Sequence, residues 1–172
     1  MEFIYQDGIS HSFFTAVTDL IEMKIGAEEV ETIKDNRFIL ALSESPGTVI
    51  SNFCFPQSDN QVPNHLIIVD KVIFRYCQFD INEQAATILH EIGHVLNNTI
   101  DSTQKEFFAD YYVKRFGFGR FLASSLEKYL NANLPYLTSE QRQEITTRID
   151  LIRDPNQEAL IGTVKELRYP NA

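Results

Sequence analysis

Residues 80–110 read DINEQAATILHEIGHVLNNTIDSTQKEFFAD, and the fold is decided here. Asp80 to Glu83 has the form of a capping box, in which Asp80 accepts from a first-turn amide, so a helix is expected from there to about residue 97. Ile88, Leu89, Ile92, Val95 and Leu96 give that helix a buried side. On it lies His90-Glu91-Ile92-Gly93-His94, an H-E-x-x-H motif. Residues four apart share one helix face, so both imidazoles can converge on one metal ion. Glu91, about 100° further around, points beside that ion and suits a general base.

Chance does not produce this pattern readily. With 4 His and 14 Glu in 172 positions, about 0.007 occurrences are expected. Two buried histidines without a ligand would also be costly. A catalytic zinc needs a third protein ligand and an open fourth position. No histidine follows six residues after His94, where Ile100 stands. A break over residues 97–102 lets a second helix, residues 103–116, fold back and bring Glu106 toward the pair. The bland role for Glu106 is a helix N-terminal charge favoured by the dipole. Asp101, in the turn, is the rival third ligand, although an N-cap role suits it better. Asp110, one turn after Glu106, can accept a hydrogen bond from the free nitrogen of His90 or His94. Its ordinary alternative is a salt bridge to Lys114. Small Ala109 allows the helices to approach.

Outward from this pair, residues 10–25 repeat apolar side chains at three- and four-residue steps, which predicts a helix ended by Gly26. A β-rich stretch follows. Residues 37–42 and 49–55 are expected strands, with turn chemistry at Ser45-Pro46-Gly47 and a polar loop over 57–64. Residues 65–69 and 71–76 give a third strand or two. Beyond Gly117, residues 120–131 form a helix, and the Thr138–Gln141 capping box opens another to about Arg153. Part of the tail 154–172 is expected to be helical. Strands followed by a run of helices point to an α+β fold in one domain, residues 1–172, with the tail 154–172 as an accessory segment.

The hydrophobic share is 44%, enough for a core and too much for a disordered chain. A net charge of −9 disfavours nucleic acid as a partner. The opening MEFIYQDGIS lacks a basic segment followed by an apolar run, and no stretch approaches a membrane span. Cys54 and Cys77 read as reduced buried thiols. Together these features predict a cytoplasmic protein without a membrane partner.

The motif His90-Glu91-Ile92-Gly93-His94 followed by Glu106-Phe107-Phe108-Ala109-Asp110 resembles the gluzincin pattern, H-E-x-x-H with a later E-x-x-A-D. It is similar to the catalytic core of HtpX-like and CAAX-prenyl-protease-type peptidases. The compact size is closer to the minigluzincins and the ImmA/IrrE group. The resemblance covers residues 81–130 and departs in a short gap between His94 and Glu106 and in lacking membrane helices. It implies a zincin-like fold and a zinc-dependent metallopeptidase. His90, His94 and Glu106 would be the Zn2+ ligands and Glu91 the general base, acting on a peptide or protein substrate. It also implies a strand beside the active-site helix whose edge binds an extended peptide, residues 65–69 or 72–76. Tyr112 and His65 are candidate oxyanion stabilisers. The main alternative is a latent or non-catalytic zinc-binding interaction module, and a third reading is a hydrolase of small amides.

Overall fold

The computed structural model describes residues 4–5, 8–35, 38–43, 52–55, 64–96 and 105–155. The chain begins with strand β1 (Ile4–Tyr5), then helices α1 (Gly8–Lys24) and α2 (Ala27–Asp35). Strands β2 (Phe38–Ser43), β3 (Asn52–Phe55) and β4 (Asn64–Asp70) follow. The rest is helical: α3 (Lys71–Tyr76), α4 (Ile81–Leu96), α5 (Lys105–Arg115), α6 (Gly119–Asn133) and α7 (Ser139–Arg153). This is the expected α+β order of a small mixed sheet followed by helices. The strand order is β1-β2-β4-β3, with β3 alone antiparallel to its neighbour.

Three local outcomes differ from the sequence expectation. Residues 71–76 form α3 rather than a strand. Asp70 ends β4 and its carboxylate accepts from the Val72 amide at 2.7 Å, so the chain enters a helix despite the strand-forming run Val72-Ile73-Phe74. Phe74 is buried there, stacked on Phe13 and tilted against Phe79. Secondly, α2 occupies a stretch with no helix expected. Glu28 and Glu29 stand in its first turn and Val30 and Ile33 are its buried pair. Thirdly, β4 lies inside the sheet, paired with β2 and β3, so residues 65–69 offer no free edge. Among the described residues β3 and β1 are the outer strands. The expected turn at residues 45–47, most of the loop 57–64, the break at 97–102 and the tail from 156 lie outside the described residues.

Helix α4 is the centre of the packing. It touches α1, α5, α6 and β4, and Ala85, Ala86, Ile88, Leu89 and Ile92 are wholly enclosed. Its capping box forms as expected: the Asp80 side chain accepts from the Asn82 and Glu83 amides, and the Glu83 carboxylate accepts from the Asp80 amide. One apolar cluster runs from Phe14 through the sheet and α4 to Ile145, Ile149 and Ile152 of α7. The second capping box forms at Thr138, where the Gln141 amide donates to its hydroxyl.

Helix α5 ends at Gly117, which takes φ +77°, a conformation open to glycine at little cost. The Phe118 amide donates to the Val113 carbonyl and the Gly117 amide to Lys114, a Schellman closure. No helix among the described residues is long and apolar enough to cross a membrane.

Candidate metal centre

The facing of α4 and α5 is set by small residues. A Cβ placed on Gly93 would stand 3.1 Å from the Ala109 Cα and from the Tyr112 Cβ. Ala109 is fully buried at the same contact. The glycine inside H-E-x-x-H and the alanine of E-x-x-A-D therefore let two helices meet backbone to backbone. That approach brings the first turn of α5 over the histidine face of α4.

At this face the His90 and His94 rings lie 4.5 Å apart between centroids, nearly perpendicular. The candidate ligand atoms of His90, Glu91 and His94 all fall within 4.8 Å of one another. The Glu106 carboxylate spans the two imidazoles: Oε2 is 3.3 Å from His90 Nε2 and Oε1 is 3.2 Å from His94 Nε2. Asp110 sits behind His90, with Oδ1 3.0 Å from Nδ1, close but off the line of a good hydrogen bond. A carboxylate there favours the proton on Nδ1, so that when the ring gives up a proton to a metal it is the Nε2 lone pair that faces Glu106. Asp110 is almost sealed at 2% side-chain exposure, whereas Glu106 at 43% is the member open to solvent.

The site also contains a residue with no place in the motif. Arg148 of α7 donates from Nε and Nη2 to the two Asp110 oxygens at 2.8 and 2.7 Å. Its Nη1 lies 2.8 Å from Glu106 Oε2. The ordinary alternative for Asp110, pairing with Lys114, is not what forms: Lys114 donates to the Asp154 carbonyl. A signal for Arg148 did exist in the sequence. Ile145, Arg148, Ile149 and Ile152 follow the i, i+3, i+4, i+7 spacing of a buried stripe, with a charge in one of its slots. An arginine on a buried face needs a carboxylate partner.

Electrostatics follow from this crowding. Burial opposes charge on His90, but the Asp110 and Glu106 carboxylates outweigh it and raise its pKa to about 9. Burial raises the Glu91 carboxyl, against the pull of His90 and His94. Glu106 and Asp110 are held low despite burial, Glu106 first by the imidazoles and Asp110 first by Arg148. Three carboxylates around one guanidinium leave a deficit of positive charge when the imidazoles are neutral. That set suits a divalent cation, since imidazole nitrogen and carboxylate oxygen are both zinc ligands.

The structure brings together His90, Glu91, His94, Glu106 and Asp110. It gives the other two candidates different partners. The Tyr112 hydroxyl donates to Glu29 of α2, which Arg115 also approaches at 3.6 Å. Burial and Glu29 push the Tyr112 pKa far up. His65 lies on β4 with its ring tilted against Phe38 at 5.5 Å, and its buried Nε2 has no hydrogen-bond partner. Neither contact involves the imidazole pair. Cys77 is a buried free thiol; Cys54 falls in β3 and Asp101 lies outside the described residues.

No protein-family model, curated protein or solved structure matches this chain.

Proposed function

We propose that the protein is a zinc-dependent metallopeptidase of gluzincin type with a zincin-like fold, acting on peptides or proteins in the cytoplasm. One observation carries the reading. Two ligands of a tetrahedral zinc with bonds near 2.05 Å stand about 3.3 Å apart. Glu106 Oε1 stands at that separation from His94 Nε2, 3.2 Å, and the same carboxylate reaches the His90 ring through Oε2 at 3.3 Å. His90, His94 and Glu106 would hold the ion, and Asp110 would orient His90. When bound, zinc supplies Lewis acidity, making a water a nucleophile at neutral pH and polarising the scissile carbonyl.

Glu91 does the proton work. Its carboxyl, lifted by burial, accepts the proton of the attacking water and returns it to the departing amine. Arg148 keeps Glu106 and Asp110 ionised and in place. Among the described residues the outer side of β3 is unpaired, and an extended substrate would pair there in place of the strands first expected.

The test is digestion of casein and a peptide library by wild type and Glu91→Gln, with zinc content measured on both. A loss of cleavage by ~10²–10⁴-fold with zinc retained is expected. A non-catalytic module would instead use Glu91 as a fourth ligand, since structural zinc sites are closed. In that case Glu91→Gln sheds zinc and wild type cleaves nothing.

A further inference from the structure

Arg148 makes the two oxygens of Glu106 unequal. The guanidinium lies 2.8 Å from Oε2, while Oε1 faces His94 Nε2 at 3.2 Å and takes no bond from Arg148. An oxygen in close ion contact with a guanidinium has its negative charge held by that cation and is the poorer donor to a metal. The same guanidinium is clamped in a two-pronged bond by Asp110, so it cannot swing away without breaking that pair. Its side chain is only 17% exposed and sits in the buried stripe of α7 between Ile145 and Ile152. The fork is therefore fixed on one side by a sealed carboxylate and aims its remaining arm at one oxygen of the candidate third ligand.

We infer that Arg148 is a positioning residue that makes Glu106 a one-oxygen metal ligand through Oε1. This rests on the gluzincin reading above and adds to it a cause for the open coordination position. With Oε2 held by Arg148, Glu106 fills one position, and with the two histidines three positions are taken. With Oε2 released, the carboxylate chelates and occupies the position that the reacting water requires. Arg148 acts through Glu106 and Asp110, and nothing in the inference asks it to touch substrate.

Cobalt(II) reads the difference directly, because its visible d–d absorption weakens as ligands are added. The full-length chain is titrated with cobalt, and zinc affinity is measured by competition with a chromophoric chelator, for wild type, Arg148→Met and Arg148→Lys. Wild type is expected to give strong absorption. Arg148→Met is expected to give weaker bands and a zinc affinity lower by about 10–100-fold, the usual consequence of losing an outer partner of a ligand. Arg148→Lys keeps the charge but not the fork, and is expected to change in the same direction. Should Arg148→Met fail to fold by circular dichroism, the lysine variant carries the test. An arginine that merely ties α7 to α5 would lower the melting temperature and leave the cobalt bands unchanged. Unchanged bands and affinity in the folded variants overturn the inference alone. A wild type that takes up neither metal overturns the peptidase reading and this inference with it.

Discussion

Helix α4 carries a buried charge cluster toward each end, and the two are built on opposite terms. At the N-terminal end Glu83 is closed on itself. One oxygen accepts from Ser124 Oγ at 2.7 Å, and the other from Lys128 Nζ and the Asp80 amide, both at 2.7 Å. One carboxylate meets one ammonium, and each oxygen has its donors. Toward the C-terminal end Glu106 and Asp110 pair with Arg148, Glu91 stands beside the two histidines, and two imidazole nitrogens face the Glu106 carboxylate. The first cluster is complete without any ligand. The second leaves a buried His90 nitrogen without a hydrogen bond, carries more negative than positive charge when its imidazoles are neutral, and opens to solvent at Glu106. A cluster that satisfies itself holds helices together; a cluster with a deficit is arranged for something that arrives later.

Removing one carboxylate from each end should separate the two clusters. Glu106→Ala should lower zinc affinity by more than about 100-fold, while the metal-free chain keeps its fold, since Arg148 retains Asp110. Competition with a chelator and chemical denaturation with chelator present measure the two effects. Glu83→Ala should do the reverse. It strands the Ser124 hydroxyl and the Asp80 amide and costs about 2 kcal/mol of stability, with zinc affinity unchanged. Equal effects of the two substitutions on zinc would erase the distinction.

A smaller effect is expected at His65, a buried histidine outside the cluster. Burial lowers the His65 pKa from 6.5. Above pH ~6.5 the ring is neutral in folded and unfolded chains and contributes no pH dependence. Below it the unfolded chain binds a proton that the folded chain refuses, so stability falls. His65→Leu should remove under about 1 kcal/mol of that acid destabilisation, read as a shallower loss of melting temperature between pH 6.5 and 5. An unchanged slope would assign the acid sensitivity to other groups.

Much of this was legible in the chain itself, in proportion to how local each signal was. Caps and periodicity are local, and the Asp80 and Thr138 boxes open α4 and α7 where the sequence put them. The H-E-x-x-H face and the return of Glu106 and Asp110 toward it were readable from helix geometry and the small Ala109. Three features needed tertiary context. The 71–76 run has strand propensity, but a capping aspartate at Asp70 turns it into α3. The position of β4 inside the sheet depends on β3 adding outside it, which no local pattern encodes. Tyr112 lies on α5 close after Glu106, yet its hydroxyl donates to Glu29 of α2, a helix absent from the sequence reading. Arg148 lies between the two kinds: its misplaced charge was visible, its carboxylate partners were not.

We propose that His90, His94 and Glu106 form a two-imidazole, one-carboxylate zinc site. X-ray absorption at the zinc edge on the zinc-loaded full-length chain tests it most directly. One zinc per chain is expected, with only nitrogen and oxygen neighbours at about 2.0–2.2 Å, two of them imidazoles, and an oxygen lost in whatever zinc Glu106→Ala retains. A sulfur neighbour at about 2.3 Å, or a chain that takes up no zinc, would contradict it.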